Sequence, residues 1–158
     1  MKSILNLITR TSDDWAPLVA RLTLALVFFP HGAQKVLGWF GGYGFTGTMG
    51  FFTGSMHLPY AIALLPVLTE FLAPFALAAG LFTRIAALAL AVDMLVAVLM
   101  VHGANGFFMN WFGTQKGEGY EYHLLVIGLA LALVVSGAGR FSADHAIANQ
   151  SGAEPETA

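Results

Sequence analysis

Four apolar stretches, about Pro17 to Leu37, Pro59 to Leu81, Arg84 to Val101 and Tyr122 to Val135, take up most of this 158-residue chain. A helix crosses a hydrocarbon core of about 30 Å with roughly 20 apolar residues. Inside a bilayer the backbone must satisfy its own hydrogen bonds, which leaves helices or closed barrels, and runs of this length select helices. Only 10% of the residues are charged and 57% are hydrophobic, against about 25% charged in a soluble domain. The expected fold class is all-α, an integral membrane four-helix bundle.

The same arithmetic excludes several functions. The spans leave no segment long enough for a soluble catalytic domain. A net charge of −2 without any basic run argues against nucleic acid as a partner. The chain has no cysteine, so thiolate nucleophiles, disulfide chemistry, iron–sulfur ligation and cysteine zinc sites are closed to it. Residues 1–16 hold Lys2, Arg10, Asp13 and Asp14 without an apolar core, and are expected to be a cytoplasmic segment rather than a cleaved signal. Residues 142–158 are polar and contain Pro155, which reads as a disordered tail.

Orientation follows from the Lys and Arg residues in the short connections. With the N-terminus inside, the cytoplasmic side receives Lys2, Arg10, Arg21, Arg84 and Arg140, and the other side Lys35 and Lys116. Both termini are therefore expected in the cytoplasm. Arg21 reads as a boundary anchor whose stem snorkels to the headgroups.

The two outer connections alternate glycine with aromatic rings. One contains Trp39, Phe40, Tyr43, Phe45, Phe51 and Phe52, the other Phe107, Phe108, Trp111, Phe112 and Tyr120. Such rings suit an interfacial belt. They also suit a lid over an outer-face cavity, because so much apolar surface is costly in water. A faint internal repeat runs through the chain: Arg21 and His31-Gly32 in the first half, Arg84 and His102-Gly103 in the second, each followed by an aromatic loop, a glutamate and a Gly…Arg ending. Two hairpins related about the membrane normal would produce that order, as in some transporters.

Helix rise sets the depth of the ionisable groups. Measured from Arg21, Arg84 and Arg140, His31 lies roughly 15 Å in, Lys35 and Glu70 roughly 21 Å, Asp93 roughly 14 Å, and His102 and Glu121 roughly 27–28 Å. Charges this deep should pair. Lys35 and Glu70 match in depth and sign, and His31 matches Asp93. These pairs could simply hold the helices in register, although buried ion pairs are poor stabilisers. His102 and His123, at the outer interface, read as solvated imidazoles. A haem between His31 and His102 is disfavoured by a depth difference of roughly 12 Å. No local spacing motif marks a metal site, although Glu70, Asp93 and His31 are allowable ligands.

Several ordered features together resemble the DoxX family of small four-helix bacterial inner-membrane proteins. They are R-L-T-L-A-L-V-F-F-P-H-G-A-Q-K from Arg21 to Lys35, Glu70 with G-L-F-T-R from Gly80, H-G-A-N-G-F-F-M-N-W from His102, E-Y-H-L-L from Glu121, and the closing G-A-G-R. The resemblance implies a DoxX-like domain over residues 17–141, multi-pass in the inner membrane. It also implies redox work of the kind associated with some relatives, such as a thiosulfate:quinone oxidoreductase subunit or a partner of oxidative-stress enzymes.

On that resemblance the leading expectation is a subunit of a quinone-linked membrane oxidoreductase system. Lys35 or His31 would donate to the quinone carbonyls, Glu70 or Asp93 would exchange protons, and Trp39, Phe107, Phe108 and Trp111 would stack on the ring, with His102 and Glu121 at the outer end. A quinone takes up two protons with two electrons, so acids and a titratable histidine are the residue types it needs. The electrons would come from a partner protein. A scaffold that recruits partner enzymes and a proton-coupled small-solute carrier are the alternatives, and homo-oligomerisation is left open.

Overall fold

A computed structural model describes residues 4–150, and the structure is all-helical there. The helices are α1 (Ile4–Thr9), α2 (Trp15–Leu37), α3 (Gly44–Gly50), α4 (Tyr60–Ala79), α5 (Thr83–Met100), α6 (Glu121–Ser136) and α7 (Ala143–Gln150). Three of them, α2, α4 and α5, are long and apolar enough to cross a membrane, which makes this a multi-pass membrane protein. The fourth apolar helix, α6, is shorter at 16 residues.

Glycine ends two of the long helices, α2 and α4. Gly38 closes α2 in the left-handed region (φ 72°), and Gly80 does so for α4 (φ 63°), a conformation that side chains with a Cβ resist. Prolines 30, 66 and 74 lie inside α2 and α4. Each removes one N–H from the helix ladder, and a membrane helix tolerates this when neighbours meet the freed carbonyl.

The four apolar helices close a ring: α2 packs on α4 and α6, and α5 packs on α6 and α4. Leu24, Phe28, Leu77, Leu90 and Leu133 fill the middle and are almost completely buried. Leucines such as Leu26, Leu72, Leu99 and Leu125 cover the outside, as expected where the solvent is lipid rather than water.

Arg21 is not the snorkelling anchor the sequence suggests. It is 1% exposed, and its guanidinium donates to five carbonyls at the end of the ring: Ala138 (3.0 Å), Leu77 (2.8 Å), Ala78 (2.7 Å), Arg140 (3.2 Å) and Phe141 (2.7 Å). Leu77 and Ala78 belong to the last turn of α4, where carbonyls run out of i+4 partners (that of Leu77 takes the Gly80 N–H at 3.1 Å) and carry the negative end of the dipole. A fork with five donors satisfies them better than headgroups would. Arg84 does the same for the other hairpin, donating to Val134 near the end of α6 (2.5 Å) and to the Arg10 carbonyl (3.1 and 3.0 Å). Both halves of the faint repeat thus use the arginine of the first helix to clasp the end of the second.

The C-terminal segment also departs from expectation. Residues 143–150 form a helix rather than a disordered tail, and α7 packs on α1. Asp144, fully buried, accepts the N–H groups of Phe82 (2.7 Å) and Thr83 (2.9 Å), capping α5 from another part of the chain. Residues 151–158 of the expected tail, and Lys2 of the N-terminal segment, lie outside the described residues.

Candidate functional site

The candidate site begins at a close helix crossing. Gly32 of α2 lies so near α4 that a Cβ there would collide with the Glu70 carbonyl and stand 2.6 Å from the Phe71 Cα. Pro74, four residues after Glu70, cannot offer that carbonyl an N–H, so the closest approach falls where the α4 backbone has spare acceptor capacity. Small residues allow such approaches between membrane helices. One turn further along α2, the Lys35 ammonium meets the Glu70 carboxylate at 2.5 Å. Glu70 is 7% exposed, and the pair spans the two helices.

Beside this pair lies a cavity of about 820 Å³. His31, Lys35, Glu70, Asp93 and His102 all line it, so five of the residues expected at a site converge on one space. His31 and Asp93 each lie within electrostatic reach of both Lys35 and Glu70. No hydrogen bond joins His31 to Asp93, and the buried Oδ2 of Asp93 has no protein partner.

Two of the polar lining groups were not expected at the site. Tyr122 and His123 open α6, and the buried Tyr122 hydroxyl and His123 Nδ1 also lack partners. His123 is 6% exposed, which corrects its reading as a solvated interfacial imidazole. The ring of His102 covers it, with centroids 4.1 Å apart. His102 Nδ1 is in turn 2.9 Å from the Glu118 carbonyl. A carbonyl can only accept, so Nδ1 carries the proton and Nε2 is left with its lone pair when the ring is neutral. The signal for Tyr122 was present in the E-Y-H-L-L string, but a residue at a helix start shows its direction only once the helix is packed.

The expected ring-stacking aromatics are elsewhere. Trp39, Phe107, Phe108 and Trp111 do not line the cavity. Trp39 packs edge-on against Phe40, and Phe107 against Phe108 and Tyr120. They are largely exposed, which fits an interfacial belt better than a lid. Phe52 and Met56 line the cavity instead, brought there by a π-helical turn over Phe51–Ser55, a local geometry common at functional sites. Glu121 is also outside the lining set, and its carboxylate accepts the Met109 N–H at 3.0 Å. Among the described residues no three His, Asp or Glu side chains gather closely enough to hold a metal ion.

Three buried polar atoms without partners, on Asp93, Tyr122 and His123, are costly in a protein interior. The three residues line one cavity, together with His31, Lys35, Glu70 and His102 and with apolar residues such as Phe28, Leu65, Val92 and Met94. That arrangement can take a ligand with a few oxygen or nitrogen atoms on a mostly apolar body.

Comparison with known proteins agrees with the residue pattern. The model of the DoxX family matches residues 16–103, more than half of the chain. That range contains Gly32, the Lys35–Glu70 pair, Asp93 and His102, and excludes Tyr122 and His123. A protein of Haemophilus influenzae described as uncharacterized is 29% identical over 138 residues, covering 82% of this chain and 82% of that protein. No solved structure matches the chain.

Proposed function

The chain belongs to the DoxX family, and from that premise we propose that it is the membrane subunit of a quinone-linked oxidoreductase system. In this reading all four apolar helices cross the bacterial inner membrane, both termini face the cytoplasm, and a partner protein supplies the electrons. The Lys and Arg bias of the connections supports the orientation. The absence of cysteine supports the need for a partner, since the chain has no thiol of its own to carry electrons.

One observation carries the quinone assignment. Asp93, Tyr122 and His123, each carrying a buried polar atom without a protein partner, line a largely apolar cavity with His31 and the Lys35–Glu70 pair. A bound quinone supplies an acceptor for two electrons and two protons, and its oxygens change from hydrogen-bond acceptors to donors as it is reduced. The residues suit both forms. A tyrosine hydroxyl and an imidazole can each donate or accept, whereas Lys35 only donates and an ionised Asp93 only accepts. Lys35 and His31 would orient the ring, and Asp93 and His123 would hold protons within its reach. Glu70 keeps the Lys35 ammonium in place.

A proton-coupled small-solute carrier is the second reading, favoured by the matching arginine clasps on the two hairpins.

The test is purification in mild detergent followed by mass spectrometry of retained small molecules, with decylubiquinone added in a parallel sample. We expect near-stoichiometric quinone in the wild type and a loss of about tenfold, roughly 1.4 kcal/mol, in Asp93→Asn and in Tyr122→Phe. Phospholipid alone, with no retention of added decylubiquinone, would overturn the assignment. Uptake of a solute into vesicles driven by a pH gradient would favour the carrier.

A further inference from the structure

The polar groups occupy only part of the cavity. Along α5 its wall continues from Asp93 toward the arginine-clasped end as Ala89, Leu88 and Ile85, about 12 Å of helix without a polar side chain. α4 contributes Leu65, which by helix rise is level with the Val96–Ala97 end of the α5 wall.

Several wall residues also belong to the outer surface. Ile85, Leu88 and Val92 on α5 and Leu65 on α4 are each at least half exposed while lining the cavity. Residues can be both wall and surface only at the lip of an opening. The lips here are α4 and α5, which come from different hairpins and are joined by the short turn at Gly80–Phe82. Both are membrane-crossing helices by length and composition, so the opening faces hydrocarbon.

We propose that the cavity takes its ligand sideways from the bilayer, through a slot between α4 and α5, and that the ligand is an amphiphile with one apolar tail. The headgroup lies against Asp93, Tyr122 and His123, and the tail lies in the slot along Ile85, Leu88 and Val92. The headgroup rests on the quinone reading above. The slot itself rests on which residues are lip and wall.

The energetics assign different tasks to the two ends. Lipid chains are as apolar as leucine, so a tail gains little by exchanging bilayer for slot. The polar groups gain the hydrogen bonds they lack. Affinity therefore belongs to the headgroup end, and the slot determines the route. Ala89 is a half-buried small residue in the slot wall, and a large side chain there would fill it.

A ubiquinone analogue with a diazirine at the end of its tail tests this in vesicles, with adducts mapped by peptide mass spectrometry in the presence and absence of excess decylubiquinone. The adducts that decylubiquinone suppresses should fall on Ile85, Leu88 and Val92. Ala89→Trp should lower them about tenfold, and Leu26→Trp, on the outer face of α2 where Leu26 is 77% exposed, should not. If Ala89→Trp fails to fold, Ala89→Cys capped after folding with an apolar maleimide does the same work, because the chain has no other cysteine. Suppressible adducts on the outer loops instead, or adducts indifferent to the filled slot, would overturn the lateral route and leave the headgroup site standing. No suppressible adduct anywhere, with no decylubiquinone retained by the wild type, would overturn both.

Discussion

The Lys35 ammonium stands 2.5 Å from the Glu70 carboxylate, and Gly32, one turn earlier on α2, lets the helices come close enough for that pair to form. The glycine meets the α4 backbone at Glu70 and Phe71 with no room for a methyl group. A packing feature and a charge feature, separated by one helical turn, are thus a single device.

Gly32→Ala should therefore force α2 and α4 apart. Overpacking of this kind costs about 1–3 kcal/mol, visible as a lower unfolding temperature in detergent. Gly128→Ala is the control, since a Cβ at Gly128 meets nothing within 4 Å. Equal losses in both variants would show that the crossing is not tight.

Removing one member of the ion pair should cost more than removing both. Lys35→Met alone leaves the Glu70 carboxylate uncompensated at 9% side-chain exposure, a loss of about 3–5 kcal/mol. The double variant Lys35→Met/Glu70→Met should recover most of that stability while losing quinone retention. Additive losses in a double-mutant cycle would contradict the pairing.

Tyr122→Phe should separate binding from stability. Its hydroxyl is buried without a protein partner, so deleting it from the ligand-free protein should leave stability unchanged or raise it by about 1 kcal/mol. Retention of decylubiquinone should fall in the same variant. A clear drop in the unfolding temperature of the ligand-free protein would mean that the hydroxyl has a structural partner.

Arg21→Lys should be severe although it preserves charge. A lysine has three donors in place of a five-donor fork, and the carbonyls of Leu77, Ala78, Ala138 and Phe141 cannot all be met. We expect about 3–5 kcal/mol. Arg140→Lys, whose half-exposed side chain pairs with Asp13 at 3.1 Å, should cost under about 1 kcal/mol. Chemical denaturation of the two variants side by side checks the contrast.

The docking of α7 should weaken as pH rises. Burial pushes the Asp144 carboxyl above its ordinary range, against the pull of the N–H bonds from Thr83 and Phe82 and of the nearby Arg21. A carboxyl raised by folding contributes stability that is complete below its unfolded value of about 4 and is lost as pH climbs through the folded value. Hydrogen exchange of the Thr83 amide should therefore show less protection, after correction for intrinsic rate, above that window than below it. Asp144→Asn should remove the dependence, and an unchanged profile in that variant would contradict the assignment.

Much of this protein could be read from its sequence. The apolar runs have span length, and those of α2 and α4 end at or beside a glycine, so α2, α4 and α5 fall within a few residues of the expected boundaries. Depth and sign alone paired Lys35 with Glu70, because helix rise is constant and a lone charge in lipid is costly. What the sequence could not determine was azimuth and long-range contact. A residue's distance along a helix says nothing about which way it faces, so Tyr122 and His123 joined the cavity, while Trp39 and Trp111 remained outside it, only once the helices had rotated to bury their larger apolar faces. Arg21 read as a surface anchor because its five acceptors lie 56 to 120 residues away. The polar segment after Arg140 read as disordered because its buried Asp144 finds its partners at the start of α5. Spans and charges are local properties of the chain. The site is tertiary, because its unpartnered atoms come from separate helices and become neighbours only when those helices pack.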